Sequence, residues 1–454
     1  MKTEKKSFLG DAPIGKLMIK LAVPSIVAQV INILYNIVDR IYIGHIPKIG
    51  PLALTGVGVC FPIVTLISAF AIFAGAGGSP LAAIELGKAE TDKKAVERAY
   101  GILGNVVIMI IIFSLGLTIF FELFLEPILW AFGASENTLP YAKEYLSLYL
   151  AGTIFVQITI GLNPFISCQG FAKTAMGSVI VGAVSNIILD PIFIFGFNMG
   201  VKGAAVATII SQGLSALWIV TFLTSKKAIL RLIFQKIRLN ISIIKKIMAL
   251  GVSPFIMQAT ESAIFVVFNS ELQKYGGDLY VGAMTIMQSL MQMCFIPISG
   301  FTNGVQPIIS YNYGAQKIHR VKATVKRMIF ICFGTSLLMG ILIPLFPTQI
   351  ARIFTTNLEL LSVIKIVLPI YFGAVWIFGI QMAAQSTFVG LGKAKTSLFI
   401  ALLRKVILLI PLALIFPKFL GVNGILLAEP IASTVSAVTS GVLLYLTYKK
   451  LEKA

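Results

Sequence analysis

The stretch GVKGAAVATIISQ, residues 200–212, returns as GVNGILLAEPIAS at residues 421–433. Three further stretches return at a similar spacing. LAVPSIVAQV from residue 21 matches LGVSPFIMQA from 250, and SPLAAIELGKAETDKKAVERA from 79 matches QPIISYNYGAQKIHRVKATVKRM from 306. CQGFAKTAMGS from 168 matches FVGLGKAKTS from 388. An offset that stays at about 220 to 230 residues makes the chain two copies of one unit in tandem.

Composition says what medium the unit lives in. Hydrophobic residues make up 57% of the chain and charged residues 12%, with a mean hydropathy of +0.93. These values lie outside the range of a water-soluble surface. Apolar runs of about 20 residues, enough for a helix to cross a hydrocarbon core of ~30 Å, recur throughout. We place twelve, at 17–44, 52–78, 97–121, 139–165, 172–197, 202–224, 244–273, 281–309, 324–346, 361–389, 396–416 and 422–447. A transmembrane barrel alternates apolar and polar residues over segments of ~10, whereas these runs are apolar on every face. The expected fold is an all-α polytopic membrane protein with twelve transmembrane helices. Six crossings per copy return the chain to its starting side, so two six-helix lobes share an orientation, related by a pseudo-two-fold along the membrane normal. The expected division is an N-lobe at 1–224, a basic linker at 225–243 and a C-lobe at 244–454.

A formal charge of +19 suits a nucleic-acid partner until the cations are located. They gather at alternate loops: Lys2, Lys5, Lys6, Lys16 and Lys20, then Lys88 to Arg98, Lys173, Lys226 to Lys246, Lys317 to Arg327, Lys393 and Lys395, and Lys449, Lys450 and Lys453. The loops between hold isolated cations such as Lys48, Lys143 and Lys202. The positive-inside rule therefore puts both termini in the cytoplasm, with the lipid bilayer and no nucleic acid as partner; the plasma membrane is the expected location. The stretch SKKAILRLIFQKIRLNISIIKK, 225–246, mixes basic and apolar residues and has two readings, an amphipathic helix on the inner leaflet or an ordinary basic loop. The first twenty residues lack the apolar core and cleavage site of a signal peptide, so no processing is expected.

Cys60, Cys168, Cys294 and Cys332 fall inside predicted spans and read as buried thiols. His45 and His319 sit near helix ends on opposite sides, which leaves no material for a histidine metal site. No GxxxxGK[ST] loop, nucleophile or metal constellation is present, so neither ATP-driven transport by this chain nor an intramembrane enzyme is expected. No cofactor is expected either.

Two carboxylates lie deep in these spans. At 1.5 Å per residue, Asp190 in VSNIILDPIF stands roughly 25 Å above Lys173, and Asp39 roughly 28 Å above Lys20 on the first helix. Asn186 is one turn below Asp190 on the same face. Thr208 lies about 9 Å into the sixth helix, with Asn163 of the fourth deeper still. Insertion scales charge about 2.5–3.5 kcal/mol for a mid-membrane Asp, which makes this cluster a functional site by default. The alternative is mutual pairing, or for Asp39 a bond to Arg40. Pro191 removes a helix hydrogen bond beside Asp190 and frees carbonyl oxygens. An oxygen-rich set of this kind serves a proton or a sodium ion.

These residues resemble the multidrug and toxic compound extrusion (MATE) family. The likeness rests on AVPSIVAQVINILYNIVDRIYIG from 22, NPFISCQGFAKTAMGSVIVGAVSNIILDPIF from 163 and GVKGAAVATIISQ from 200, and covers essentially the whole chain. It is similar in particular to the DinF branch and its MepA-like members, where ionisable groups concentrate in the N-lobe. The resemblance implies a V-shaped monomer that exports cationic, often aromatic compounds by alternating access. It also implies roles. Asp39 is the main carboxylate of proton coupling and drug release, with the first helix bending at Pro24. Asn163, Asn186, Asp190 and Thr208 form the network that binds a proton or sodium ion.

The second half departs from the first. At the repeat offset Asp39 falls on Asn269 and Asp190 on about Pro411. Some MATE branches use an acidic pair on helices 7 and 10; here Glu261 stands on helix 7, but helix 10 offers Gln381 and Gln385. Arg404, Lys405 and Glu429 reach mid-depth, either as a buried ion pair joining helices 11 and 12 or as cavity lining. Glu261 is expected in the central cleft. Met257, Met284, Met287 and Met291, with Gln288 and Gln292, suit either a promiscuous drug surface or core filling. Tyr35, one turn before Asp39, has the geometry to stack on a flat cation. The rival cargo, a lipid-linked precursor, calls for a strongly cationic cleft.

Overall fold

The computed structural model describes residues 8–451. Lys2, Lys5, Lys6 and Lys453 lie outside them. Helix follows helix, with no strand among the described residues. Ten helices are long and apolar enough to cross a membrane, and two bent pairs bring the number to as many as 12. In the first half these are α1 (Ile14–Gly44), α2 (Gly50–Lys88), α3 (Lys94–Leu123), α4 (Leu139–Ala151 with Thr153–Ser167), α5 (Ala172–Pro191) and α6 (Val201–Thr224). The second half has α7 (Ile241–Gly276), α8 (Asp278–Gly314), α9 (Ile318–Leu345), α10 (Leu358–Tyr371 with Val375–Gly390), α11 (Ala394–Leu402, running on to Leu420) and α12 (Val422–Lys450). Each predicted span finds its helix.

The tandem repeat is written into the backbone as well. The bend in α4 is 58° and that in α10 is 49°. Both α5 and α11 pass into a wider π-helical stretch, Ile192–Gly196 and Leu403–Leu409. Gly200 and Gly421 start α6 and α12 with φ of 57° and 58°, a left-handed conformation that glycine adopts without strain.

Apolar packing divides unequally. Toward the lysine-rich face one core joins the two halves: Leu17, Leu21 and Ala22 of α1 and Ala74 of α2 belong with Ile247 of α7 and Ile298 and Val305 of α8. Toward the opposite face there are two separate cores. One holds Ile43, Ile63, Tyr145 and Val201 of the first half, the other Phe268, Tyr371 and Ile425 of the second. The joined end depends on small residues, as expected where lipid gives helices no hydrophobic reason to associate. A Cβ at Gly87 would stand 2.0 Å from the Tyr311 carbonyl oxygen, and one at Gly314 1.9 Å from that of Ile84. The result is a V, closed at the lysine-rich face.

Beneath the closure lies the short turn Phe8–Asp11. Asn312 Nδ2 donates to the Leu9 carbonyl at 3.0 Å and Arg320 Nη2 to that of Ala12 at 2.6 Å. Lys317 Nζ reaches Glu90 at 2.9 Å and Asp11 at 3.3 Å, tying the loop after α8 to the loop after α2.

The linker is the loop of the two readings. Only Phe234–Lys236 makes a helical turn before α7 begins. Its polar backbone is claimed by the first half: Leu230 N donates to Gln169 Oε1 at 2.8 Å, and Asn240 N to Asn105 Oδ1 at 2.8 Å. All four cysteines are buried.

Candidate functional site

Asp39 sits near the far end of α1 and Asp190 in the last turn of α5, where Pro191 and the π-helical stretch end the regular ladder. The two helices pack together, which makes neighbours of two carboxylates 9% and 0% exposed. Asn186 Nδ2 donates to Asp190 Oδ1 at 3.2 Å and stands 3.4 Å from Thr208 Oγ1, which brings α6 into the group. Tyr35 and Tyr145 border Asp39.

What the cluster lacks is donors. Asp39 Oδ1, Asn186 Oδ1 and Asp190 Oδ2 are all buried without a hydrogen-bond partner. Buried acceptors without donors are costly, and two adjacent carboxylates repel each other. A proton or a hard cation relieves both terms, and oxygen ligands of this type suit either.

Four of the five residues expected at the site thus come together, and Asn163 does not join them. Its Nδ2 donates to Ser178 Oγ at 2.7 Å and to the Ala175 carbonyl at 2.9 Å. Ser178 is twelve residues before Asp190 on α5, about 18 Å along the axis. Pro24 lies inside α1, which is helical throughout, in the section packed on α8: a Cβ at Gly300 would come 2.7 Å from the Ile26 Cα.

In the second half, Arg404 Nη2 donates to Glu429 Oε1 at 2.7 Å, with both side chains buried. Ser433 Oγ donates to the same oxygen at 2.9 Å. This is the expected bridge between α11 and α12. Lys405 differs from expectation: its Nζ donates to Glu261 of α7 at 2.5 Å. The lysine side chain is 5% exposed and that of Glu261 57%. At this depth an exposed carboxylate is more stable facing water than facing lipid. Gln381 is buried, and Gln385 is bonded to Ser253 and Ser397.

The methionine stripe is mostly interior. Met284, Met287 and Met291 pack in the second-half core, in one cluster with Leu361, Ile364 and Ile425, so they do not line the open space. Periodicity gives a helix face but not its neighbours. Gln292 and Met293 are the exposed residues of that turn, while Met257, Gln288 and Tyr35 are half-buried. Sequence reasoning missed Tyr145, Ser178 and the partnership of Lys405 with Glu261. Tyr145 and Ser178 fall in runs with no distinguishing neighbour. The adjacent Arg404 and Lys405 were a visible signal, without showing which acid each takes.

The MatE family model matches residues 24–192 and 254–415, one stretch in each half. The multidrug export protein MepA of Staphylococcus haemolyticus (strain JCSC1435) is 24% identical over 452 residues, covering 98% of this chain and 96% of its own. MepA of Staphylococcus aureus (strain MSSA476) is 23% identical over 451 residues, covering 99% and 98%. A MATE crystal structure in the bent conformation superposes with a TM-score of 0.90 at 26% identity, over 100% of this chain and 99% of that one. An outward-facing multidrug resistance MATE family transporter of the MOP superfamily has a TM-score of 0.89 at 24% identity over the full length of both. With both halves matched and the whole fold shared, this chain belongs to the MatE family.

Proposed function

We propose that the protein is a secondary transporter that exports cationic, often aromatic compounds in exchange for a proton or a sodium ion. One observation carries this reading: buried oxygens of Asp39, Asn186 and Asp190, held by two helices, lack donors. The relatives named as multidrug export proteins support the same reading. By the positive-inside rule the lysine-rich face is cytoplasmic, so the V opens outward at the plasma membrane.

In this state an arriving proton or sodium ion joins Asp39, Asp190, Asn186 and Thr208. The acids then lose their pull on a bound cation, which leaves through the open side. Tyr35, Met257, Gln288 and Glu261 are the contacts offered to cargo, and Asn163 belongs to a deeper polar layer that α5 must carry with it. Pro24 and Pro191 lack the N–H that would stiffen α1 and α5, so bending there costs no hydrogen bond at those positions. Coupling needs the two states to differ in affinity for ion and cargo. The lobes, 1–224 and 244–454, act as the rocking bodies of a monomer. A diphosphate-linked lipid cargo is opposed by the cations of this region, since Arg404 and Lys405 are already matched by Glu429 and Glu261.

The test is ethidium uptake into inside-out vesicles under an imposed proton or sodium gradient, with wild type and Asp39→Asn. One gradient is expected to drive uptake and the substitution to abolish it while the protein stays folded. Dye that fails to move under either gradient refutes the multidrug reading, and normal transport by Asp39→Asn refutes the coupling role.

A further inference from the structure

The linker between the halves carries a surface that transport does not use. It is bolted to the first half by Gln169 and Asn105, and Lys236 adds an ion pair to Glu97 at 2.7 Å while lying 4.4 Å over the Tyr100 ring. Ala228, Leu230 and Leu232 point inward and are buried. Outward stand Ile229, Phe234, Leu239 and Ile241, with 56%, 73%, 62% and 63% of their surface exposed. Among them Lys226, Lys227, Arg238, Lys245 and Lys246 are exposed, and none has a carboxylate partner among the described residues.

Four large apolar side chains fixed outward are unfavourable in water, and five unpaired cations are unfavourable in hydrocarbon. One environment suits both. The linker starts at the end of α6 and runs into α7, at the lysine-rich ends of two spanning helices, the depth of lipid headgroups. We propose that this strip binds anionic phospholipids of that leaflet, with its cations on the headgroup phosphates and Phe234, Leu239 and their apolar neighbours at the acyl boundary. Neutral lipid leaves the cations unmatched, and free phosphate leaves the apolar side chains in water. The strip spans the junction of the halves, with Lys226 and Lys227 just after α6 and Lys245 and Lys246 on the first turns of α7, so bound lipid holds that junction to the bilayer surface.

The full-length protein with Phe234→Trp, in phosphatidylcholine vesicles with added phosphatidylglycerol, tests this. Brominating the acyl chains of one lipid at a time reports which one touches position 234, over the background of the three native tryptophans. Brominated phosphatidylglycerol is expected to quench the added emission about twofold more than an equal fraction of brominated phosphatidylcholine. Replacing Lys226, Lys227, Lys245 and Lys246 with Gln is expected to remove the preference. Equal quenching by both lipids, or none by either, overturns the proposal. Loss of the preference on adding inorganic phosphate overturns it too, by assigning the cations to a soluble anion. If Phe234→Trp fails to fold, Leu239→Trp takes its place with the same expectations.

Discussion

Arg404 and Glu429 meet at 2.7 Å with side chains 5% and 7% exposed. Glu429→Gln leaves the guanidinium buried beside an amide, a kind of loss that costs about 3–5 kcal/mol. We expect a clear fall in the Tm of the purified protein, with most of it recovered in Arg404→Met/Glu429→Leu; a single variant as stable as wild type refutes this. Asp190→Asn is different, because its surroundings lack donors rather than acceptors. It should fold normally and lose the response of the dye-export rate to the driving gradient. Asp39 and Asp190 were legible because depth follows from counting residues along a helix. The Lys405–Glu261 pair was not. Lys405 stands inside the π-helical stretch, whose wider turn spaces side chains differently from an α-helix, and no count of residues shows that.

Among the helices, the contact of α2 with α8 holds the V closed at its lysine-rich end. Gly87→Val puts a branched side chain where a single Cβ already comes 2.0 Å from the Tyr311 carbonyl. This should force the helices apart and arrest transport in a protein that still inserts; spin-label distances across that face should lengthen. Lys317→Met removes ion pairs to Glu90 and Asp11, each partly exposed and worth under about 1 kcal/mol, so exchange between states should change more than stability. In the loop after α2, a hydrogen bond from Arg98 and one from the Lys94 backbone N–H hold the Asp92 carboxyl below its ordinary range. Its support of that loop is therefore full at neutral pH and is lost as acid protonates it, which hydrogen exchange over residues 88–98 should show as faster opening at low pH. Twelve spans were legible because length and hydropathy fix them. The linker's shape was not, since Asn105 and Gln169, distant in sequence, take the hydrogen bonds that a helix would have used.

Taken whole, the molecule has one joined core at the lysine-rich end and two separate ones beyond it. That arrangement was only partly legible: the repeat predicted two alike halves, but which end they share depends on glycine contacts that no periodicity reveals. It also decides where a membrane voltage can act. An open cleft filled with electrolyte conducts, so the field collapses across the thin, tightly packed layer at the closed end. Moving one charge through 100 mV is worth about 2.3 kcal/mol, and under the function proposed above an ion that reaches Asp39 and Asp190 from the open side crosses little of that drop. Voltage should then alter the speed of the switch and leave ion affinity nearly untouched, which current recordings at stepped potentials would separate. The membrane battery is connected to the closed end of the V, and the proposed ion site sits outside the circuit.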